Sequence, residues 1–85
     1  MQLKNISPNC NEVNFTNGNS VLFSYKTPVA VVINLSWGNH KPGVYKTAEK
    51  FSNTTTKHIN AWTSTTRTLP QDELVKMAEA AAGME

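Results

Sequence analysis

The stretch SVLFSYKTPVAVVINL, residues 20–35, decides the fold. In its first part Val21, Phe23 and Tyr25 fall on one side of an extended chain and Leu22, Ser24 and Lys26 on the other, the alternation of a strand. Its second part, VAVVINL at 29–35, is the most apolar run in the chain and predicts a central strand covered on both faces. Between them Pro28 has no N–H to give a ladder, so the chain bends there or runs along an edge or bulge.

Working outward, Val13 and Phe15 alternate with polar neighbours, which predicts a strand near 11–15. It ends at Asn17-Gly18, whose tolerance of positive φ predicts a type I′ hairpin turn into the next strand. On the other side, SWGNHKPG reads as a turn-rich loop and GVYKT, 43–47, as a returning strand. Residues 1–10 carry Pro8 and no periodicity, and are expected to be loosely ordered.

The last third reads as helix. Ser52 or Asn53 is a natural N-cap for a helix near 53–62, with Thr55, Ile59 and Trp62 inward, Thr56, Lys57 and Asn60 outward and His58 at the border. In LPQDELVKMAEAAAG, Pro70 suits a first turn, Asp72 and Glu73 sit near the positive end of the helix dipole, and Gly83 supplies a stop. Leu74, Met77, Ala78 and Ala81 recur at helical spacing as a packing face. The prediction is an α+β domain: a small antiparallel β-meander with strands near 11–15, 20–26, 29–35 and 43–47, a short helix near 53–62, and a C-terminal helix near 70–82 packed on the sheet.

At 85 residues the chain is read as one domain, and a domain of this size buries only about 60–65% of its unfolded surface. The apolar fraction is 39%, charged residues are 16% and the formal balance is +2, so the chain is neither a polyelectrolyte tail nor compositionally disordered. Cys10 is the only cysteine, which rules out an intramolecular disulfide. MQLKNISPNC lacks the basic start and apolar stretch of a signal peptide, and no run has the length of a membrane span. The expectation is a soluble, cytoplasmic protein with no membrane partner.

Catalytic patterns are weak. His40 and His58 are too far apart for a ligand pair on one element, and no cysteine or carboxylate stands at a zinc spacing, so no metal and no cofactor are expected. Glu49, Ser52 and His58 can be drawn as a triad, but no glycine elbow accompanies them. Asp72 and Glu73 are adjacent on a helix and diverge. No enzyme activity and no small-molecule substrate are expected.

Charge is more informative. Between residues 26 and 67 the bases Lys26, Lys41, Lys46, Lys50, Lys57 and Arg67 face Glu49 alone, whereas the segment from Pro70 sets Asp72, Glu73, Glu79 and Glu85 against Lys76. The basic residues are interleaved with Tyr45, Phe51 and Trp62, a mixture suited to a nucleic-acid backbone with aromatic stacking. Lys46, Lys50, Lys57 and Arg67, with His58 and Trp62 at the margin, form the candidate nucleic-acid set. The bland alternative is solvated lysines and core aromatics.

FSYKTPVAV (23–31), GVYKTAEKFS (43–52) and TTTKHINAW (54–62) together resemble a family of short uncharacterised proteins from phages and prokaryotes. Its marks are a Ser-Tyr-x-Thr-Pro-Val-Ala strand and a Thr-Thr-x-His-Ile-Asn-x-Trp segment. On that resemblance Tyr25, Thr27, Pro28, Thr55, His58, Asn60 and Trp62 are signature positions. The loop SWGNHKP departs from the tight Gly-rich hairpin more usual in the family, which leaves its role open, with a partner of this protein alone as one use for Trp37 and His40. The resemblance implies a phage-like setting in which small non-enzymatic proteins bind nucleic acid or disable a host machine. The first expectation is therefore a nucleic-acid-binding module. The alternative is an inhibitor or adaptor docking on a host protein, such as a defence complex or polymerase, through Trp37, Asn39 and His40 or a bare sheet edge beside Pro28. Edge pairing would also allow a homo-oligomer.

Overall fold

In the computed structural model, which describes residues 2–83, the chain runs β1 (Gln2–Ser7), β2 (Cys10–Asn14), β3 (Ser20–Ser24), β4 (Thr27–Ile33), β5 (Gly43–Thr47), α1 (Asn53–Trp62), β6 (Thr68–Leu69) and α2 (Gln71–Ala81). The strands form one sheet in chain order, antiparallel from β1 to β5, with β6 parallel to β5 after the excursion through α1. This is the predicted small α+β fold, its C-terminal helix packed on the sheet. Met1, Met84 and Glu85 lie outside the described residues.

β4 is central, and its two faces are both buried. Val31 and Ile33 join Val21, Tyr45 and Leu69 against Leu74, Met77, Ala78 and Ala81 of α2. Val29 and Ala30 join Cys10 and Leu22 against Ile59 of α1. Consecutive residues Val29 and Ala30 reach the same cluster because a bulge lies between them and β3. Leu22 pairs with Ala30 but Phe23 pairs with Pro28, which leaves Val29 as the extra residue. The missing N–H of Pro28 thus falls where the ladder is already interrupted. Its carbonyl accepts the Gln71 amide at 2.9 Å. Pro28 is therefore paired on its β3 side. On its other side, beyond the β4–β5 ladder that ends at Ala30, the Gln71 side chain covers its carbonyl. The outer strands of the sheet are β1 and β6.

Three further expectations are corrected. Most of the supposedly loose segment 1–10 is strand β1, reached through a turn at Pro8-Asn9 in which Asn9 has φ +61°. β1 is exposed throughout its described side chains, so no burial period marks it in the sequence. The β2–β3 turn is not type I′. The Gly18 N–H donates to the Phe15 carbonyl at 3.1 Å and Gly18 alone in this turn takes positive φ, +89°, the three-residue loop of a type I turn closed by a left-handed glycine. Finally, the strand 20–26 stops at Ser24, and Tyr25 enters a tight turn at φ +60° instead of continuing the Val21–Phe23 face.

Asn17 is released from the turn's positive-φ position for another task. Its amide donates to the Ala81 carbonyl at 2.8 Å, and the buried Asn19 amide donates to the same oxygen at 3.0 Å. The Asn19 side-chain oxygen, Oδ1, accepts the Asn34 N–H at 2.8 Å. One turn thereby satisfies a carbonyl in the last turn of α2 and also holds the end of β4. Asn19→Ala removes a buried bond to α2 and leaves the part-buried Asn34 N–H without this acceptor. It is expected to lower unfolding free energy by about 2 kcal/mol, against about 1 kcal/mol or less for Asn17→Ala. Urea unfolding of the two variants checks the difference.

Candidate functional site

α1 is a three-turn helix with only Thr55 and Ile59 fully buried, and a helix this short needs tertiary support. Ser52 caps it: the Thr55 N–H donates to Ser52 Oγ at 3.1 Å. Thr55 Oγ1 lies 2.9 Å from Ser24 Oγ, and Ser24 Oγ lies 2.9 Å from His58 Nδ1. A hydroxyl chain from Ser52 through Thr55 to Ser24 thus fastens the first half of α1 to β3 and fixes the His58 ring. At the far end the Trp62 indole N–H donates to Glu12 Oε1, while Glu12 Oε2 accepts from the Asn14 amide at 2.8 Å. The indole bond first, then the Asn14 bond and the charge of Lys4, holds the Glu12 carboxyl below the usual glutamate range against the opposing effect of burial.

These contacts answer what the polar residues of TTTKHINAW do. His58 and Trp62, two members of the candidate nucleic-acid set, are tied to the sheet through Ser24 and Glu12, whereas Lys57 and Asn60 are exposed. Ser24 next to His58 has the outline of a nucleophile and base, but Ser24 is 2% exposed and shared with Thr55. That geometry suits an anchor, not attack on a substrate.

The pairing register sorts the remaining basic residues by face. Directly opposed residues share a side, and the row Lys4, Glu12, Leu22, Ala30, Lys46 contains two members of the α1-side core. Lys4 and Lys46 therefore stand on the α1 face. Lys57 projects from α1, Lys50 lies in the segment entering it, and Lys26 sits in the Tyr25 turn. Arg67 does not join them. Its guanidinium lies 5.6 Å from the centre of the Tyr45 ring, packs over Gly43 and donates to the Pro42 carbonyl at 3.2 Å. Tyr45 pairs with Val31, on the α2 side.

Trp37, Asn39 and His40 do come together. Trp37 and His40 exchange backbone hydrogen bonds of 3.0 and 2.9 Å and stack at 5.6 Å. His40 meets the Tyr45 ring edge-on at 5.6 Å, and its Nε2 lies 3.7 Å from the Glu73 carboxylate. With Leu69 and Pro70 these residues line an open cleft of about 600 Å³. Among the described residues no group of His, Cys, Asp and Glu is placed to hold a metal ion, and no helix is long and apolar enough to cross a membrane.

Sequence reasoning missed Ser24, Glu12 and Tyr25 as partners of α1. The signal present was the placing of Ser24-Tyr25 in one signature segment and Thr55 and His58 in the other. Two measurements check the anchors. A double-mutant cycle on Ser24→Ala and His58→Ala is expected to give a coupling of about 1 kcal/mol, while a value near zero removes His58 from the anchor. Because its folded pKa is depressed, Glu12 adds stability that is complete above its unfolded pKa and lost as pH falls through the lower folded value. In a Trp37→Phe background, Trp62 emission should therefore titrate below the ordinary glutamate range, and Glu12→Gln should abolish that titration.

Neither the curated proteins nor the solved structures contain a match to this chain. A family model does match, over residues 1–76. The chain belongs to that family, a family of unknown function (DUF8033).

Proposed function

We propose that this protein is a small non-enzymatic module that binds nucleic acid across the α1 face, in the phage-like setting and host cytoplasm implied by the sequence resemblance. The observation that supports this reading is the partition of charge. Lys4, Lys26, Lys46, Lys50 and Lys57 surround α1, where the described carboxylate is Glu12, already bonded to Trp62 and Asn14. Asp72, Glu73 and Glu79 lie on α2 across the sheet, with Glu49 in a cleft beside Asp72. Lys76 and Arg67 offset part of the acidic charge on the α2 side, and the remaining contrast between the faces favours presenting the α1 face to a polyanion. The contact set is Lys46, Lys50 and Lys57, with Lys4 and Lys26 added, while Arg67 lies outside it.

A second reading has its own observation. The cleft of Trp37, Asn39 and His40 opens beside Glu73 on the acidic side, which fits a basic segment of a host protein docked by an inhibitor or adaptor. Edge-to-edge pairing of two copies, the remaining expectation, would use β1.

Salt separates these readings. Binding to nucleic acid should weaken linearly in log–log form as salt rises, and Lys57→Ala should reduce the slope by about 0.7–0.9, the share of one phosphate contact. Lys76→Ala, on α2, should leave it unchanged. Absence of binding to any nucleic acid at low salt sinks the proposal. Retention of a host protein after nuclease treatment, lost in Trp37→Ala, would favour the second reading.

A further inference from the structure

Tyr25 occupies a position that suits it poorly as a structural residue. At φ +60° it holds a left-handed conformation that a bulky side chain adopts only under strain and that glycine adopts freely. Burial does not compensate, because the residue is 51% exposed. Its ring meets His58 at 6.5 Å with the planes inclined at 48°, a loose contact that leaves ring surface open to solvent. Strain of this kind persists where the surroundings enforce it, and it gathers at functional sites.

The surroundings here do enforce it. The Tyr25 N–H donates to the Asn9 carbonyl at 2.6 Å, which locks the β3–β4 turn against the β1–β2 turn. The adjacent His58 ring is held through Nδ1 by Ser24. Asn9, Asn11, Lys26 and Thr27 complete an open cleft of about 650 Å³ beside the ring. An aromatic face, amide edges that can donate and accept, and a lysine at the rim are the three groups that an unpaired nucleotide engages through its base plane, base edge and phosphate.

We infer that Tyr25 is a stacking platform for an unpaired nucleobase, so that the ligand of the α1 face is single-stranded nucleic acid. The inference rests on the nucleic-acid reading above and narrows it. A duplex hides its base planes within the stack and offers Tyr25 nothing to stack on, whereas every base of a single strand presents a face.

The test uses fluorescence anisotropy of labelled oligodeoxythymidine, the matching duplex, and unlabelled thymidine monophosphate as competitor, all at low salt. The single strand should bind more tightly than the duplex, and the free nucleotide should not displace it at equal base concentration. Tyr25→Gly removes the ring and the strain together. It should bind the single strand roughly tenfold more weakly, bind the duplex as before, and melt no lower than the parent. Tyr25→Asn, which also tolerates this φ, should behave alike, and Tyr25→Phe should retain affinity. Unchanged single-strand affinity in Tyr25→Gly, or equal affinity for strand and duplex, overturns the inference while the basic face remains a backbone-binding surface. Displacement by the free nucleotide overturns the strand assignment. No binding to strand or duplex removes the nucleic-acid reading and this inference with it.

Discussion

Burial of β4 on both faces is the constraint from which the other features follow. Val31 and Ile33 face α2 while Val29 and Ala30 face α1, so neither helix can be dispensed with. The bulge at Val29 makes this division possible by turning two successive side chains into one cluster. Each core that results is thin. The α1 side buries Cys10, Leu22, Val29, Ala30 and Ile59, with Trp62 packed at its margin. Apolar burial on that scale leaves position and register to be set by polar bonds, and that is where the chain's serines, threonines and asparagines are spent.

Both helices are accordingly fastened by side chains from distant strands or turns. α1 is held by Ser24 at one end and Glu12 at the other, and α2 has its last turn held by Asn17 and Asn19. Such bonds are directional, so they define where the helix lies more sharply than the contacts of Ile59 or Met77 do. The consequence for the proposed contact face is a firm platform. Lys57 extends from a helix whose buried side is locked, and the Tyr25 turn is braced by the neighbouring turn.

Much of this architecture was legible in the sequence where local chemistry determines it. The alternation at 20–24, the Ser52 cap, and the Leu74, Met77, Ala78, Ala81 face each express a period or a cap that needs no distant partner. β1 was not legible, because an edge strand exposed on both sides carries no burial period. β6 is two residues long and owes its existence to the pairing of Thr68 and Leu69 with β5, not to its own composition. The Asn17-Gly18 turn was recognised but mistyped, since the amide of Asn17 serves a helix end far along the chain. The candidate site divided the same way. Charge composition marked the lysines as a group, but the face on which each stands depends on pairing register, and this separates Arg67 from Lys46.

The bond between Asn19 and Ala81 joins residues 62 positions apart. Closing a loop of that length carries an entropic penalty that local hairpins avoid, so non-local docking is the slow part of a fold whose other pairings are mostly between chain neighbours. Contact order alone therefore favours a β-meander that forms before α2 docks. Until α2 docks, the sheet has one bare apolar face, on which Val21, Val31 and Ile33 are open to wrong partners.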